Sequence, residues 1–352
     1  MKKVLAVLLC LVMVFAMTAC GGDDGGSADG EVYKITYAGT VADTNPMMRV
    51  AMEITDEMRE ASDGRLDMTV YPNNQLGDSR SNIEQMQQGL NGTVQVGEMS
   101  TAPLGNFTNV FMAMNLPFMF DSFDQAFAFV DDSQYIKDAI EQCVEEAGVR
   151  PIAWLSNSSR MFTNSKREVR TPADMKGLKI RVMENDVYIK MMELLGALPT
   201  PMSVTELFTA LQTHSVDAQE NPWVNTLTYG FGDVQKYISN SAHTFDCTSF
   251  NANDEWYQSL TDAEKAIIDE GAKRGAAENR AQSQALDESS LQELIDKYGM
   301  EYYEMSDEEL QTFRDKCEPL QDWFVNESGI ETVTSLQTVM DKIAELEAAQ
   351  AN

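Results

Sequence analysis

The sequence has little positive charge. It carries 26 Lys and Arg residues against 56 Asp and Glu residues, which gives a formal net charge of −30 over 352 residues. Nucleic acid and anionic lipid are polyanions, so a surface this acidic disfavours both as partners. The charge does not exclude a small anionic ligand, because a cleft can carry local positive charge.

Residues suited to catalysis are scarce as well. The chain has two histidines, and neither His214 nor His243 has an evident acidic or nucleophilic partner in the sequence. No nucleophile elbow and no metal-ligand spacing is present. We therefore predict a protein that is not an enzyme and that uses no metal and no cofactor. His214 is predicted to be an exposed helix end.

Cysteine is also rare. Cys143, Cys247 and Cys317 follow the amino-terminal region, and an odd number allows at most one intramolecular disulfide among them. Their spacing fits no metal site, so we predict small and mostly buried apolar side chains.

One long apolar run is present, at the amino terminus. Lys2 and Lys3 precede the apolar residues 4–15, a pattern typical of a secretion signal. Small residues stand directly before Cys20 and resemble the bacterial lipobox. We predict that residues 1–19 are a lipoprotein signal peptide and that Cys20 is lipidated; the alternative is an ordinary secretory signal with an incidental cysteine.

A glycine-rich segment follows the signal. Residues 20–30 predict a flexible tether of the kind an anchored domain needs. No second apolar run approaches membrane-spanning length. The protein is therefore expected on the extracytoplasmic face of the bacterial cell membrane, attached through its lipid only.

Strands and helices alternate after the tether. Residues 31–38, 66–71 and 93–99 are predicted strands, and the third is expected to end at Glu98. Helices capped by Asn45 and Asp78 separate them. This order predicts a parallel sheet with crossover helices, in which ligands bind at the carboxyl ends of strands.

The remaining elements are longer. The pattern predicts an amphipathic helical stretch over residues 121–148, a strand over 149–155 and a crossover turn over 156–159. A helical region is predicted from Thr261 to about Tyr298, and a terminal helix over 330–349.

The most informative stretch lies between residues 160 and 225. Thr171 and Asp174 predict a short capped helix, and Gly177 is predicted to end it. A strand follows, in which Arg181 is predicted to point away from the apolar face. Residues 199–202 are a predicted rigid turn, followed by a capping box of Ser203 and Glu206. Residues 216–222 are predicted to form a loop.

This stretch closely resembles the extracytoplasmic solute-binding proteins of tripartite ATP-independent periplasmic (TRAP) transporters, the DctP family. Four motifs carry the resemblance, in the same order along the chain: Met175–Val182, Pro199–Met202, Ala210–Thr213 and Gln219–Pro222. Amino-terminal matches extend it to almost the whole mature chain: Tyr71–Pro72, Gln75–Asp78 and Leu116–Phe118.

The resemblance implies an α/β fold of two lobes that are joined by crossing strands and a long helix and that close on ligand like a hinge. Lobe I would comprise residues 31–157 plus about 247–286, and lobe II residues 158–246 plus about 287–352.

The resemblance also implies a ligand site. Arg181 matches the arginine that binds the substrate carboxylate in a bidentate salt bridge; without the motif it would be an ordinary solvent-facing arginine. Arg160 matches a second ligand-contacting arginine, although Ser158-Ser159 replaces the family's usual glycine and aromatic residue before it. Asn221 matches a carboxylate donor, with loop capping as the alternative. We expect both arginines to lack a protein counter-charge.

Four further residues are candidates for the cleft. Glu98 is predicted to accept hydrogen bonds from ligand hydroxyls; a solvated strand end is the alternative. Tyr37 can donate its hydroxyl or stack on a ring, or be a core tyrosine. Trp223 can form an apolar wall or pack between the lobes, and His243 falls where some family members line the cleft.

The resemblance therefore predicts a lipoprotein that captures a carboxylate-bearing organic acid, such as a uronate, and delivers it to the TRAP transporter membrane subunits. A C4-dicarboxylate ligand is the alternative within this class. A secreted hydrolase or a scaffolding lipoprotein are alternatives of another class.

Overall fold

The computed structural model describes residues 32–328, 340–341 and 343–344, and within them nine strands form one sheet. The strands are β1 Tyr33–Ala38, β2 Leu66–Tyr71, β3 Val96–Ser100, β4 Val149–Asn164, β5 Lys179–Val182, β6 Leu198–Pro201, β7 Ala218–Asn221, β8 Tyr237–Asn253 and β9 Glu301–Glu304. Their order across the sheet is β2-β1-β3-β8-β4-β7-β5-β6, and β9 pairs with β8.

The helices cover the sheet and connect its strands. They are α1 Pro46–Ala61, α2 Ser79–Met86, α3 Thr101–Leu104, α4 Phe123–Asp132, α5 Gln134–Ala147, α6 Pro172–Met175, α7 Asp186–Leu194, α8 Val204–Gln212, α9 Trp223–Thr228, α10 Asp254–Ser259, α11 Asp262–Tyr298 and α12 Asp307–Asn326. Short 3₁₀ turns are Gly89–Asn91, Met112–Asn115 and Phe231–Asp233.

Two long strands join two lobes. Strands β4 and β8 pair with each other along most of their length. On one side of this pair β8 also pairs with β3, and on the other side β4 also pairs with β7. Lobe I therefore contains β1, β2 and β3, and lobe II contains β5, β6, β7 and β9. Helix α11 packs against β4 and α1. The predicted two-lobed α/β fold with crossing strands and a long helix is confirmed.

The segment between the lobes is a continuous strand and not the predicted crossover turn. Strand β4 runs through residues 156–159, where its register against β8 shifts by a bulge. Ser158 takes a left-handed backbone conformation, with φ at 62°. The turn prediction was wrong because the hydroxyl and amide side chains of this segment are typical of turns, whereas pairing with β8 on both sides of the bulge continues the strand.

Helix α11 supports this bulge. The Asn279 side-chain oxygen accepts a hydrogen bond from the Ser156 backbone N–H at 2.7 Å, and its amide nitrogen donates to the Ser156 carbonyl oxygen at 3.3 Å. Ser283, one turn further along α11, donates to the same carbonyl at 3.2 Å. The backbone N–H and carbonyl oxygen of Ser156, at the edge of the bulge, are thus bonded by the long helix.

Other sequence predictions need correction. Strand β3 starts and ends later than predicted, so Glu98 lies in its middle. Residues 199–202 and 216–222 are mainly short strands, because β6 and β7 pair beside β5 in the sheet. The stretch 121–148 is two helices, since Ser133 ends α4 and caps α5.

Most helix signals agree with the structure. Thr171 and Asp174 form a capping box, Gly177 adopts the left-handed conformation with φ at 74°, and Thr261 caps α11. Ser203 caps α8 by accepting from Thr205, and no box with Glu206 forms. His214 is exposed, as predicted.

The apolar interior contains the three cysteines of the described region, which are buried and free. No helix in this part of the chain is both long and apolar enough to span a bilayer. The predicted signal peptide, Cys20, the tether and most of the predicted terminal helix lie outside the described residues.

We predict that Asn279→Ala lowers the free energy of unfolding by about 1–3 kcal/mol, because it leaves a buried backbone N–H at Ser156 without a partner. Urea denaturation measures this change. Gln284→Ala, at an exposed position on the same helix, is the control, and equal stabilities of the two variants would contradict the role of Asn279.

Candidate functional site

A cleft of about 690 Å³, a volume that includes open solvent at its mouth, lies between the lobes. Lobe I contributes the loop after β1 and the strand β3, and lobe II contributes β5, β7 and the segment after β6. The polar lining residues are Thr40, Asp78, Ser79, Arg80, Glu98, Ser100, Asn157, Arg160, Arg181, Glu184, Ser203, Asn221, Asn225, Tyr229, Asp246 and Thr248.

Arg181 is the unpaired cation of this cleft. Its side chain is buried, with 3% of the residue exposed. The Nε donates to the Met202 carbonyl oxygen at 2.9 Å, and among the described residues no carboxylate forms a salt bridge with the guanidinium. Burial lowers the pKa of Arg181 to about 10. The group stays charged at neutral pH, at a cost that an anionic ligand would offset.

The sheet explains the orientation of Arg181. Ile180 and Val182 face the core, while Lys179 is exposed. Parallel pairing of β5 with β6 then places the Met202 carbonyl beside the Arg181 Nε. Because Nε is occupied, the two terminal nitrogens remain for a planar bidentate acceptor.

Arg160 differs from the prediction. Its guanidinium is buried and donates to Glu220 through Nε and Nη2, and Nη1 donates to Asp246 at 2.6 Å. Nη2 also donates to the Glu220 carbonyl oxygen at 2.5 Å. The expectation that Arg160 lacks a protein counter-charge was wrong, because two carboxylates that are distant in sequence meet it in the folded protein.

These pairs stabilise the charged forms of Arg160 and Glu220. Burial opposes ionisation of Glu220, but Arg160 and the neighbouring His243 outweigh it and hold the pKa of Glu220 below its usual range. Burial also opposes the charge on Arg160, yet the two carboxylates raise its pKa. Four of the five N–H bonds of Arg160 are used within the protein. At most one remains for a ligand.

Glu98 presents a carboxylate to the cleft from lobe I. Its Oε1 accepts from the Thr40 backbone N–H at 2.7 Å and from the Thr40 hydroxyl at 2.6 Å. Its Oε2 is buried and has no hydrogen-bond partner among the described residues. Burial raises the pKa of Glu98 to about 7, against the lowering effect of the Thr40 bonds.

Asn221 ends β7 at the floor of the cleft. It is buried, and its amide nitrogen donates to the Gln219 side-chain oxygen at 2.5 Å. The structure therefore brings Arg181, Arg160, Glu98 and Asn221 to one cavity.

Tyr37 and Trp223 do not line this cavity. Tyr37 is buried in the lobe I core against Phe250, with a ring distance of 5.5 Å, and its hydroxyl has no partner in the described region. Trp223 packs edge to face on Tyr302 at 6.2 Å. Tyr37 is thus a core tyrosine, whereas Trp223 packs on apolar residues of lobe II rather than between the lobes.

His243 lies behind the cleft. Its ring stacks on Phe162 at 4.2 Å, its Nδ1 is 2.8 Å from the Ser241 hydroxyl, and its Nε2 is 3.6 Å from Glu220. Burial lowers the pKa of His243. This residue supports Glu220 and does not face the cleft.

Sequence reasoning missed Asp246, Thr40 and Tyr229. Asp246 accepts from Ser100 at 2.6 Å and from Asn157 at 2.8 Å, besides its bond with Arg160. A single carboxylate in the otherwise uncharged second half of β8 was the available signal for Asp246. Thr40 and Tyr229 carried no comparable signal, because their partners are known only from the tertiary structure.

A two-lobed protein that keeps one unpaired arginine in the cleft between its lobes belongs to the class of solute-binding proteins. Comparison with known families agrees: the model described as "Bacterial extracellular solute-binding protein, family 7" (DctP) matches residues 37–328, and the chain belongs to this family. Proteins of this family bind solutes and are not enzymes. The described residues contain no cluster of three or more side chains suited to a metal ion.

Three similar proteins are informative. The sugar acid binding protein DctPAm from Advenella mimigardefordensis, solved in complex with galactonate, is 29% identical with a TM-score of 0.83, over 90% of this chain and 99% of that chain. A TRAP solute-binding protein from Chromohalobacter salexigens with bound D-glucuronate is 26% identical with a TM-score of 0.81, over 88% and 99%. The C4-dicarboxylate-binding protein DctB from Bacillus subtilis is 26% identical over 298 residues, 85% of this chain and 83% of that protein.

The shifted pKa of Glu98 predicts a pH dependence of stability. Between about pH 4.5 and 7 the folded protein keeps a proton on Glu98 that the unfolded chain has released. Stability contributed by this proton is present below that window and lost as the pH rises through it. We expect wild type to lose about 3 kcal/mol relative to Glu98→Gln between pH 4.5 and 8.

Urea denaturation of wild type and Glu98→Gln between about pH 4.5 and 8 measures this difference in the free energy of unfolding. The contributions of the other titrating groups are shared by both proteins and cancel. Stability curves that stay parallel would contradict burial of a titrating Glu98.

Proposed function

We propose that this protein captures a monoanionic sugar acid, such as a uronate or an aldonate, and delivers it to the membrane subunits of a TRAP transporter. The observation that carries the proposal is the buried Arg181, which has no carboxylate partner in the described chain. A ligand carboxylate would accept two parallel N–H bonds from its terminal nitrogens. Asn221 would donate to the same carboxylate.

Formal charge supports a ligand with a single carboxylate. The guanidinium of Arg160 is already paired with Glu220 and Asp246, which leaves Arg181 to balance one ligand carboxylate. A second carboxylate would approach Glu98 or Asp246, which repel it. Hydroxyl groups, in contrast, would donate to the free Oε2 of Glu98.

The hydrogen bonds that Arg160 makes within the protein give it a different role from that of Arg181. With at most one N–H left for the ligand, it holds Glu220 and Asp246 in place and offers one auxiliary donor. The C4-dicarboxylate alternative stands on the similarity to DctB.

Closure would occur about the crossing strands. We assign residues 31–157 and about 247–286 to lobe I, and residues 158–246 and about 287–352 to lobe II. The bulge at 156–159 supports a boundary at this point. A ligand that contacts Arg181 in lobe II and Glu98 in lobe I favours the closed arrangement.

Arg181→Ala is expected to abolish ligand-dependent stabilisation. Wild type at about 100 times its dissociation constant for D-glucuronate or galactonate should gain about 2.7 kcal/mol, measured as a shift in Tm, and succinate should give less. Lys179→Ala, at the exposed position on the same strand, is the matched control. Stabilisation by succinate alone would overturn the sugar-acid assignment, and unchanged binding by Arg181→Ala would overturn the anchor.

We further propose lipid attachment at Cys20, because the residues before it resemble the bacterial lipobox. Cys20→Ala should then move the protein from the membrane fraction to the soluble extracytoplasmic fraction while ligand binding is retained. Incorporation of labelled palmitate into wild type but not into the variant measures the modification, and labelling of both would contradict the site.

A further inference from the structure

Thr40 connects Glu98 to the opposite lobe. The backbone N–H and the hydroxyl of Thr40 both donate to Glu98 Oε1. The carbonyl oxygen of Thr40 accepts from Asn74 at 2.7 Å and from the Tyr229 hydroxyl at 3.0 Å. Asn74 belongs to lobe I, whereas Tyr229 follows helix α9 of lobe II.

Tyr229 lies between the cores of the two lobes. Its ring packs on Phe231 at 5.5 Å, within the lobe II cluster that includes Leu207 and Leu211. The same ring also contacts the lobe I cluster, which includes Tyr37 and Phe250. Its hydroxyl can therefore reach Thr40 only when the lobes are together.

We propose that Tyr229 is a positioning residue for Glu98: its hydroxyl fixes Thr40, and Thr40 fixes the carboxylate that accepts ligand hydroxyls. This inference rests on the proposed function. With both Thr40 bonds directed to Oε1, the other oxygen of Glu98 is left for the ligand. The backbone of Thr40 thereby couples lobe closure to the recognition of ligand hydroxyls.

The coupling distinguishes this role from simple stabilisation of the closed form. A residue that only holds the lobes together weakens binding by the same factor whether or not Glu98 is present. A residue that acts through Glu98 loses its effect once that carboxylate is replaced. A double-mutant cycle separates the two cases.

The experiment measures D-glucuronate and galactonate affinity by calorimetry for wild type, Tyr229→Phe, Glu98→Gln and the double variant. Tyr229→Phe keeps the packed ring and should weaken ligand binding about fivefold to tenfold relative to wild type. In the Glu98→Gln background, the same substitution should weaken binding less than about twofold relative to Glu98→Gln alone. Tyr257→Phe is the matched control, because the Tyr257 hydroxyl donates to Asp269 at 2.9 Å and neither residue lines the cleft.

A second readout covers the case in which Glu98→Gln binds too weakly to measure. The Thr40 bonds lower the pKa of Glu98, so their loosening in Tyr229→Phe should move the pH midpoint of ligand affinity upward. The titratable groups coupled to Glu98 are Tyr37 on β1 and Tyr229 itself, and neither titrates near neutral pH.

Equal weakening in both backgrounds, or an unchanged midpoint in Tyr229→Phe, would overturn the positioning role while the sugar-acid assignment stands. Absence of wild-type binding to either sugar acid would instead overturn the proposed function and this inference with it.

Discussion

The buried ion cluster of Arg160, Glu220 and Asp246 is the interaction on which the cleft depends. It joins three strands, β4, β7 and β8, at the point where the sheet passes from one lobe to the other. Removing Arg160 would leave two buried carboxylates without their cation, which costs several kcal/mol. The cluster therefore holds the cleft floor in one arrangement and also determines which cation remains available.

Because Arg160 is neutralised within the protein, the cleft has an asymmetric charge distribution. Among the described residues, nothing pairs with the terminal nitrogens of Arg181 on lobe II or with one carboxylate oxygen of Glu98 on lobe I. A donor pair on one wall and an acceptor on the other suit a molecule with a carboxylate at one end and hydroxyls elsewhere. Because both groups are buried, the free energy of each depends strongly on whether a polar partner occupies the space between them.

Hydrogen bonds between the lobes surround this site. Asn45 donates to Asn225 at 3.0 Å, Asn185 donates to the Ala102 carbonyl at 3.0 Å, and Tyr229 donates to Thr40. All three are uncharged, so each contributes about 0.5–1.5 kcal/mol and is easily exchanged for bonds with water. Such contacts are weak enough to be exchanged for water, so the proposed ligand would shift the balance between open and closed states by bridging the lobes.

The sequence by itself determined the fold class, most helix caps and the strand that carries Arg181, because hydrophobic periodicity, capping residues and motif order are local properties. It did not determine that Arg160 is paired, that β4 continues through residues 156–159, or that Tyr37, Trp223 and His243 lie outside the cleft. These depend on which strands lie side by side, as β4 lies between β7 and β8. Only the tertiary structure brings together carboxylates that are 60 and 86 residues from Arg160 along the chain, and charge balance in a buried site is decided by such neighbours.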